Sequence, residues 1–171
     1  RTATVLVAIG DTHGTDGHRL EGAVREAVRA ADVVVHTGDF TTEAVLDALE
    51  AETATLAAVY GNNDGPAIRD RLPATRVVEA VNRRWVVAHG HDHSTTELGY
   101  LGREADADGV IVGHSHEPGV ESIAGVRLVN PGSYADPRWH RPAFAEVSVS
   151  SDSVVGRLRD PDGTTFDRFR V

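Results

Sequence analysis

The sequence has no cysteine and no lysine. Without a thiol there is no cysteine nucleophile, no iron–sulfur ligation and no cysteine-type zinc site. All 17 basic residues are arginine, so neither a Walker A lysine nor a Schiff base is available. G-x-S-x-G and G-x-G-x-x-G are absent as well, which removes the serine-hydrolase elbow and the dinucleotide fingerprint. No run approaches the ~18 unbroken apolar residues of a membrane span. No charged-then-apolar leader precedes the first strand; the chain opens on Arg1, as if an initiator Met had been trimmed, and enters a strand at once. A cytoplasmic enzyme without membrane contact is expected. Positive charge is scarce too: 26 acidic residues against 17 basic leave a net charge of −9. Such a surface repels nucleic-acid phosphates, so broad binding to DNA or RNA is not expected. Acidic surplus without lysine is also the composition of proteins from high-salt cytoplasm.

What is present folds. The 171 residues, 40% of them hydrophobic, suit one domain, 1–171, with a core that needs no disulfide. Five apolar runs, Thr4–Ile9, Asp32–Val35, Thr55–Tyr60, Trp85–Ala88 and Gly109–Val112, do not alternate and read as strands buried on both faces. Leu20, Ala23, Val24, Ala27, Val28 and Ala31 fall at helical spacing between the first two. Val45, Leu46 and Leu49 follow Thr41 and Thr42, which can cap, and a third helix starts near Ser94 to Thr96 with Leu98, Leu101 and Ala105 inward. This alternation predicts α/β packing with parallel neighbours. Pro131 to Pro142 reads as a loop. Phe144–Val149, Val154–Leu158 and Thr165–Phe169, set off by turn residues, are expected to be antiparallel strands forming a second sheet. No linker or repeat interrupts the chain.

Each of the five runs ends in the same kind of residues. The tails are Gly10-Asp11-Thr12-His13, Gly38-Asp39, Gly61-Asn62-Asn63-Asp64, His89-Gly90-His91-Asp92-His93 and Gly113-His114-Ser115-His116. In open α/β sheets, sites form beyond the C-terminal ends of strands, so these tails would meet at one rim. They supply carboxylates, imidazoles and an amide, ligands that suit Mn, Fe, Zn, Ni or Co. A glycine beside each ligand lets the backbone turn sharply near an ion. A single histidine after a strand is usually structural, and a lone Gly-Asp marks turns everywhere. Five such tails in order form a metal-site pattern.

The ordered set resembles the calcineurin-like metallophosphoesterase superfamily, whose pattern runs D-x-H, G-D, G-N-x-D, H-G and G-H-x-H; the match spans Asp11 to His116. Asn130-Pro131-Gly132-Ser133, with Arg138 downstream, resembles its small prokaryotic phosphodiesterase branch, the YfcE type. The resemblance implies a four-layer αββα sandwich of two mixed β-sheets flanked by helices. It implies two divalent metal ions, Mn²⁺ in the first place, with Ni²⁺, Zn²⁺, Fe²⁺ or Co²⁺ compatible. Asp11, His13, Asp39 and His116 would hold one ion, and Asp39, Asn62, His89 and His114 the other, with Asp39 bridging. A carboxylate can bind two cations, an imidazole cannot, and the ions would lie about 3.5–4 Å apart. The implied activity is hydrolysis of a small phosphodiester by in-line attack of a metal-bound hydroxide. The family also allows a homodimer.

One position departs from the pattern. Many members carry histidine where this chain has Asn63, and that histidine is thought to protonate the leaving oxygen. An amide donates a hydrogen bond but delivers no proton. His91 or His93 would have to replace it, and Asp64 is expected to orient a nearby histidine. Arg138, in the loop with Trp139, could pair with a substrate phosphate. His36 and Trp85 are expected in or near the core, and His18 and His140 on the surface. Two rivals remain: a scaffold like the retromer subunit that shares this fold, and a phosphomonoesterase or nucleotidase.

Overall fold

Residues 4–171 are described by the structure, a computed structural model; the expected immediate entry into a strand lies, for residues 1–3, outside them. Among these residues the chain runs β1 (Val5–Ile9), α1 (Gly22–Ala30), β2 (Val33–His36), α2 (Glu43–Glu52), β3 (Leu56–Ala58), α3 (Pro66–Arg71), β4 (Thr75–Ala80), β5 (Arg83–Ala88), α4 (Thr95–Glu104), β6 (Gly109–Val112), β7 (Gly119–Ile123), β8 (Val126–Asn130), β9 (Phe144–Ser150), β10 (Ser153–Arg159) and β11 (Thr165–Arg170). One sheet has the order β11-β10-β9-β1-β2-β3 and the other β4-β5-β6-β8-β7. Both are mixed. β1, β2 and β3 are parallel, as are β5, β6 and β8, while β9–β11, β4 and β7 run antiparallel to their neighbours.

The packing follows from which faces are apolar. Leu6, Ala8, Val35, Val87, Ile111, Val147 and Leu158 fill the space between the sheets. Val24 and Val28 of α1 and Val45, Leu46 and Leu49 of α2 cover the outer face of the first sheet. Leu98 of α4 covers the second, over Val86, Val110 and Leu128. The result is the expected four layers of helix, sheet, sheet and helix. Trp85 is fully buried between the sheets, where Gly109 leaves it room: a Cβ there would stand 2.6 Å from the indole. Full burial of a side chain of this kind stabilises the fold by roughly 3 kcal/mol. Thr42 caps α2, one of the two threonines the sequence offers for it, and Ser94 forms a capping box with Glu97 at the start of α4.

Two expectations need correction. The three C-terminal strands do not make a second sheet. They extend the first, because β9 pairs antiparallel with β1, Leu6 opposite Val147 and Ala8 opposite Ala145. β1 is apolar on both faces and would be a poor edge; β9 closes it and leaves the edge to arginine-bearing β11. Accordingly, the five ligand-bearing tails come from two sheets, β1, β2 and β3 in one, β5 and β6 in the other. Among the described residues no helix is long and apolar enough to cross a membrane.

Candidate metal centre

The C-terminal ends of β1, β2, β3, β5 and β6 meet at one rim, and glycines set how closely. A Cβ on Gly61 would stand 2.2 Å from the Asp39 carboxylate, and one on Gly113 would stand 2.3 Å from Thr37 Oγ1. The ligand-bearing residues also bend sharply themselves. Asp11, His13, Asp39, His114 and His116 all have φ between 42° and 74°, the left-handed region that L-residues with a Cβ seldom occupy.

The side chains these bends present converge. Single ligand atoms of Asp11, His13 and His116 lie within 4.8 Å of one another, and so do those of Asp11, Asp39 and His89. Asp39 Oδ2 stands 3.5 Å from His13 Nε2 and 3.2 Å from His89 Nε2, between the two groups. Asn62 Oδ1 faces His89 Nε2 at 2.9 Å and His114 Nδ1 at 3.2 Å. All seven residues named as ligands from the sequence therefore meet here.

The outer hydrogen bonds fix which nitrogen is left for an ion. His89 Nδ1 donates to the carbonyl of Thr37 at 2.8 Å, and His116 Nδ1 donates to the carbonyl of Asp136. A carbonyl only accepts, so the neutral rings carry their lone pair on Nε2, pointing into the centre. Nε2 of His13 and of His116 is buried without a hydrogen-bond partner. Buried polar atoms are seldom left so. Lone pairs facing carboxylate and amide oxygens are the donor set a divalent cation satisfies, so the residues fit the two ions that the motifs imply.

Electrostatics agree. Burial pushes the Asp11 carboxyl up to about 7, reinforced by Asp39 and opposed by His89. Burial also works against ionisation of Asp39, but hydrogen bonds from His89 and Asn63 outweigh it and hold this carboxyl well below its ordinary value. His89 is desolvated, yet its hydrogen bond to Asp39 and the charge of Asp11 raise its pKa. Burial lowers the pKa of His114, helped by the charge of His89, and burial lowers that of His116.

Other residues singled out from the sequence fall in different places. Asn63 uses its backbone N–H and its Nδ2 to donate to the two oxygens of Asp39, at 2.8 and 2.9 Å. Asp64 does not orient a histidine. Its buried carboxylate accepts from the backbone N–H groups of Asp39, Gly61 and Thr41, each at 2.8 Å, and clamps the β2 and β3 tails together. His91 tilts against His89 at 5.4 Å between ring centroids, its Nε2 3.0 Å from Asp92 and its Nδ1 buried without a partner. His36 is fully buried, stacked on Phe40, and lowered to about 3 by burial. Arg138 and Trp139 are exposed, with the charge of Arg138 felt at Asp11, His114 and His116. His18 is not a free surface residue: it bonds Glu52 at 3.1 Å beside Arg25. His140 is half-buried. Sequence reasoning missed Thr37 and Asp136, which act through backbone carbonyls and leave no side-chain signal. Ser133, noted only as a branch marker, bonds the carbonyl of Asp11 at 2.9 Å and accepts from the N–H of Asp136.

Residues 5–152 match the family profile of the calcineurin-like phosphoesterase superfamily domain. The chain is 32% identical over 158 residues to a probable metallophosphoesterase of Methanothermobacter thermautotrophicus, covering 90% of this chain and 91% of the relative. It is 31% identical over 134 residues to the phosphodiesterase MJ0936 of Methanocaldococcus jannaschii, covering 69% and 80%. A predicted phosphoesterase from Streptococcus pneumoniae shares the fold at a TM-score of 0.78 and 22% identity, with 100% and 99% of the two chains covered. Vacuolar Protein Sorting 29 from Cryptosporidium parvum does so at 0.81 and 22%, with 100% of each covered.

Proposed function

The chain belongs to the calcineurin-like phosphoesterase superfamily, in its small prokaryotic branch, and on that premise we propose that it is a cytoplasmic phosphodiesterase dependent on two divalent ions, Mn²⁺ in the first place. The observation that carries this reading is the pair of buried, unpartnered Nε2 atoms of His13 and His116 facing the carboxylates of Asp11 and Asp39. Asp11, His13, Asp39 and His116 would hold one ion, and Asp39, Asn62, His89 and His114 the other. When bound, such ions supply water activated at neutral pH and positive charge against the phosphoryl oxygens.

The chain's own side chains do the rest. Arg138 pairs with a phosphoryl oxygen, where its charge already reaches Asp11 and His116. Asn63 keeps both oxygens of Asp39 in place and can give the substrate a hydrogen bond but no proton. His91 or His93 would have to supply the proton to the leaving oxygen; His91 stands against His89 and its buried Nδ1 lacks a partner. With the histidine of other members replaced by Asn63, aryl phosphodiesters are cleaved far faster than alkyl ones, and equal rates would count against this assignment.

Metal analysis together with turnover of bis-p-nitrophenyl phosphate in Mn²⁺ tests the whole. Two ions per chain with turnover supports the diesterase. Faster cleavage of p-nitrophenyl phosphate would point to a monoesterase. A second reading, a metal-holding scaffold, draws on the likeness to Vacuolar Protein Sorting 29, and metal bound without turnover would favour it.

A further inference from the structure

A groove of about 430 Å³ opens beside the metal centre, between the N-terminal end of α4 and the β8–β7 edge of the second sheet. His114 is the wall the two share, since it lines the groove while its Nδ1 faces Asn62 in the centre. The groove's floor is apolar, made by Leu98, Val112 and Leu128. In the β7–β8 ladder Glu121 lies opposite Leu128 and Gly119 opposite Asn130, so Glu121 shares the floor's face. A Cβ on Gly119 would meet nothing within 4 Å, and this missing side chain helps keep the groove open. Although 17 residues of the chain are arginine, none lines the groove, and its formally charged side chains are Glu117 and Glu121. Among the described residues neither carboxylate is held in an ion pair.

This lining selects by chemistry. An apolar floor disfavours a second phosphate, which would lose its hydration there, and the two carboxylates repel it. Alkyl carbon next to a positive charge gains from both. We propose that the groove receives an alkyl substituent of the phosphodiester that carries a positive charge, an amino alcohol of the choline or ethanolamine type. The proposal rests on the diesterase reading and narrows it to a substrate class; a nucleoside substituent is the competing outcome.

Three p-nitrophenyl diesters with the same leaving group test it on the Mn²⁺-loaded protein: those of methyl phosphate, phosphorylcholine and thymidine 5′-phosphate. The choline ester is expected to exceed the methyl ester in kcat/KM by about tenfold, from two partly exposed charge contacts plus buried alkyl area. Glu117→Gln with Glu121→Gln should cut that ratio to about twofold, and Gly119→Leu, which fills the groove, should erase it. Calorimetric titration with phosphocholine and with inorganic phosphate reads the groove without turnover: phosphocholine should bind about fivefold tighter, and Gly119→Leu should remove the difference. Equal binding and equal rates, or a thymidine ester preferred over both, overturn the groove assignment and leave the diesterase standing. Tighter phosphocholine binding with no hydrolysis of any ester overturns the diesterase and leaves the groove standing.

Discussion

Replacing Asp64 by asparagine separates a clamp from a reacting group. The Asp64 carboxylate accepts three backbone N–H bonds, from Asp39, Gly61 and Thr41, each at 2.8 Å, and its residue is 3% exposed. Asparagine can keep its oxygen toward Asp39 and Gly61, which share Oδ2, but its NH₂ then faces the N–H of Thr41, donor against donor. One bond to a charged acceptor is lost and a buried N–H is left unmet, which together cost about 2–3 kcal/mol. Asp64→Ala loses all three and should cost about 4–6 kcal/mol. For a chain of this size that lowers Tm by roughly 6 °C and by more than about 10 °C. The assay is thermal unfolding of metal-loaded protein beside bis-p-nitrophenyl phosphate kinetics. The asparagine variant should need more Mn²⁺ for half-maximal rate, because Asp39 is looser, while kcat at saturating Mn²⁺ stays within about threefold. A variant that melts within about 1 °C of the parent yet loses kcat about a hundredfold would refute the clamp and restore Asp64 to the chemistry.

Gly61→Ala places a methyl 2.2 Å from Asp39 Oδ1 and 2.7 Å from Asp39 N; metal content by mass spectrometry should fall below one ion per chain in the variant, and full loading would refute the packing argument. Glu52 ties α2 to Arg25, Arg29 and His18, and the hydrogen bond from Arg25 leads in lowering its pKa from 4.5 to about 2. A depressed acid pKa stabilises the fold above the unfolded value and ceases to as pH falls through the folded one. Urea titrations should therefore show Glu52→Gln destabilised at pH 7, by about 1 kcal/mol for such an ion-pair network, with the gap narrowing below pH 4.5 and closing near 2. Finally, the surplus of 26 acidic over 17 basic residues predicts unfolding at higher temperature in multimolar KCl than at low salt as repulsion is screened; equal values would remove the salt-adapted reading.

The ligands were legible because each is announced twice, by a continuous apolar run and by glycine at its end. The four layers came through the resemblance to a known family, while the division of strands between sheets did not come from local pattern. The apolar run of β5 ends in a ligand-bearing tail as that of β3 does, and nothing nearby says that β3 ends one sheet. β7 and β4 are edge strands with few buried residues, Val78 and Ala80 in β4 and none in β7, so their periodicity is too faint to read. The pairing of β9 with β1 joins residues more than a hundred positions apart, such as Val5 and Ser148. Asp64 was misread because a carboxylate beside a metal motif suggests an imidazole partner, whereas bare backbone amides, which any residue offers, are what it binds.

Five ligand-bearing residues hold the left-handed backbone, and each such residue costs of order 1 kcal/mol that glycine would not. A screen rewarding heat resistance alone would therefore favour glycine first at His13 and His114, the two of the five that are not buried, whereas at Asp11, Asp39 and His116 the strain relieved is offset by lost hydrogen bonds to His114, Asn63 and Asp136. Variants selected that way should be counter-screened for bound metal, since the mutations that make this chain sturdier and those that empty it fall at the same addresses.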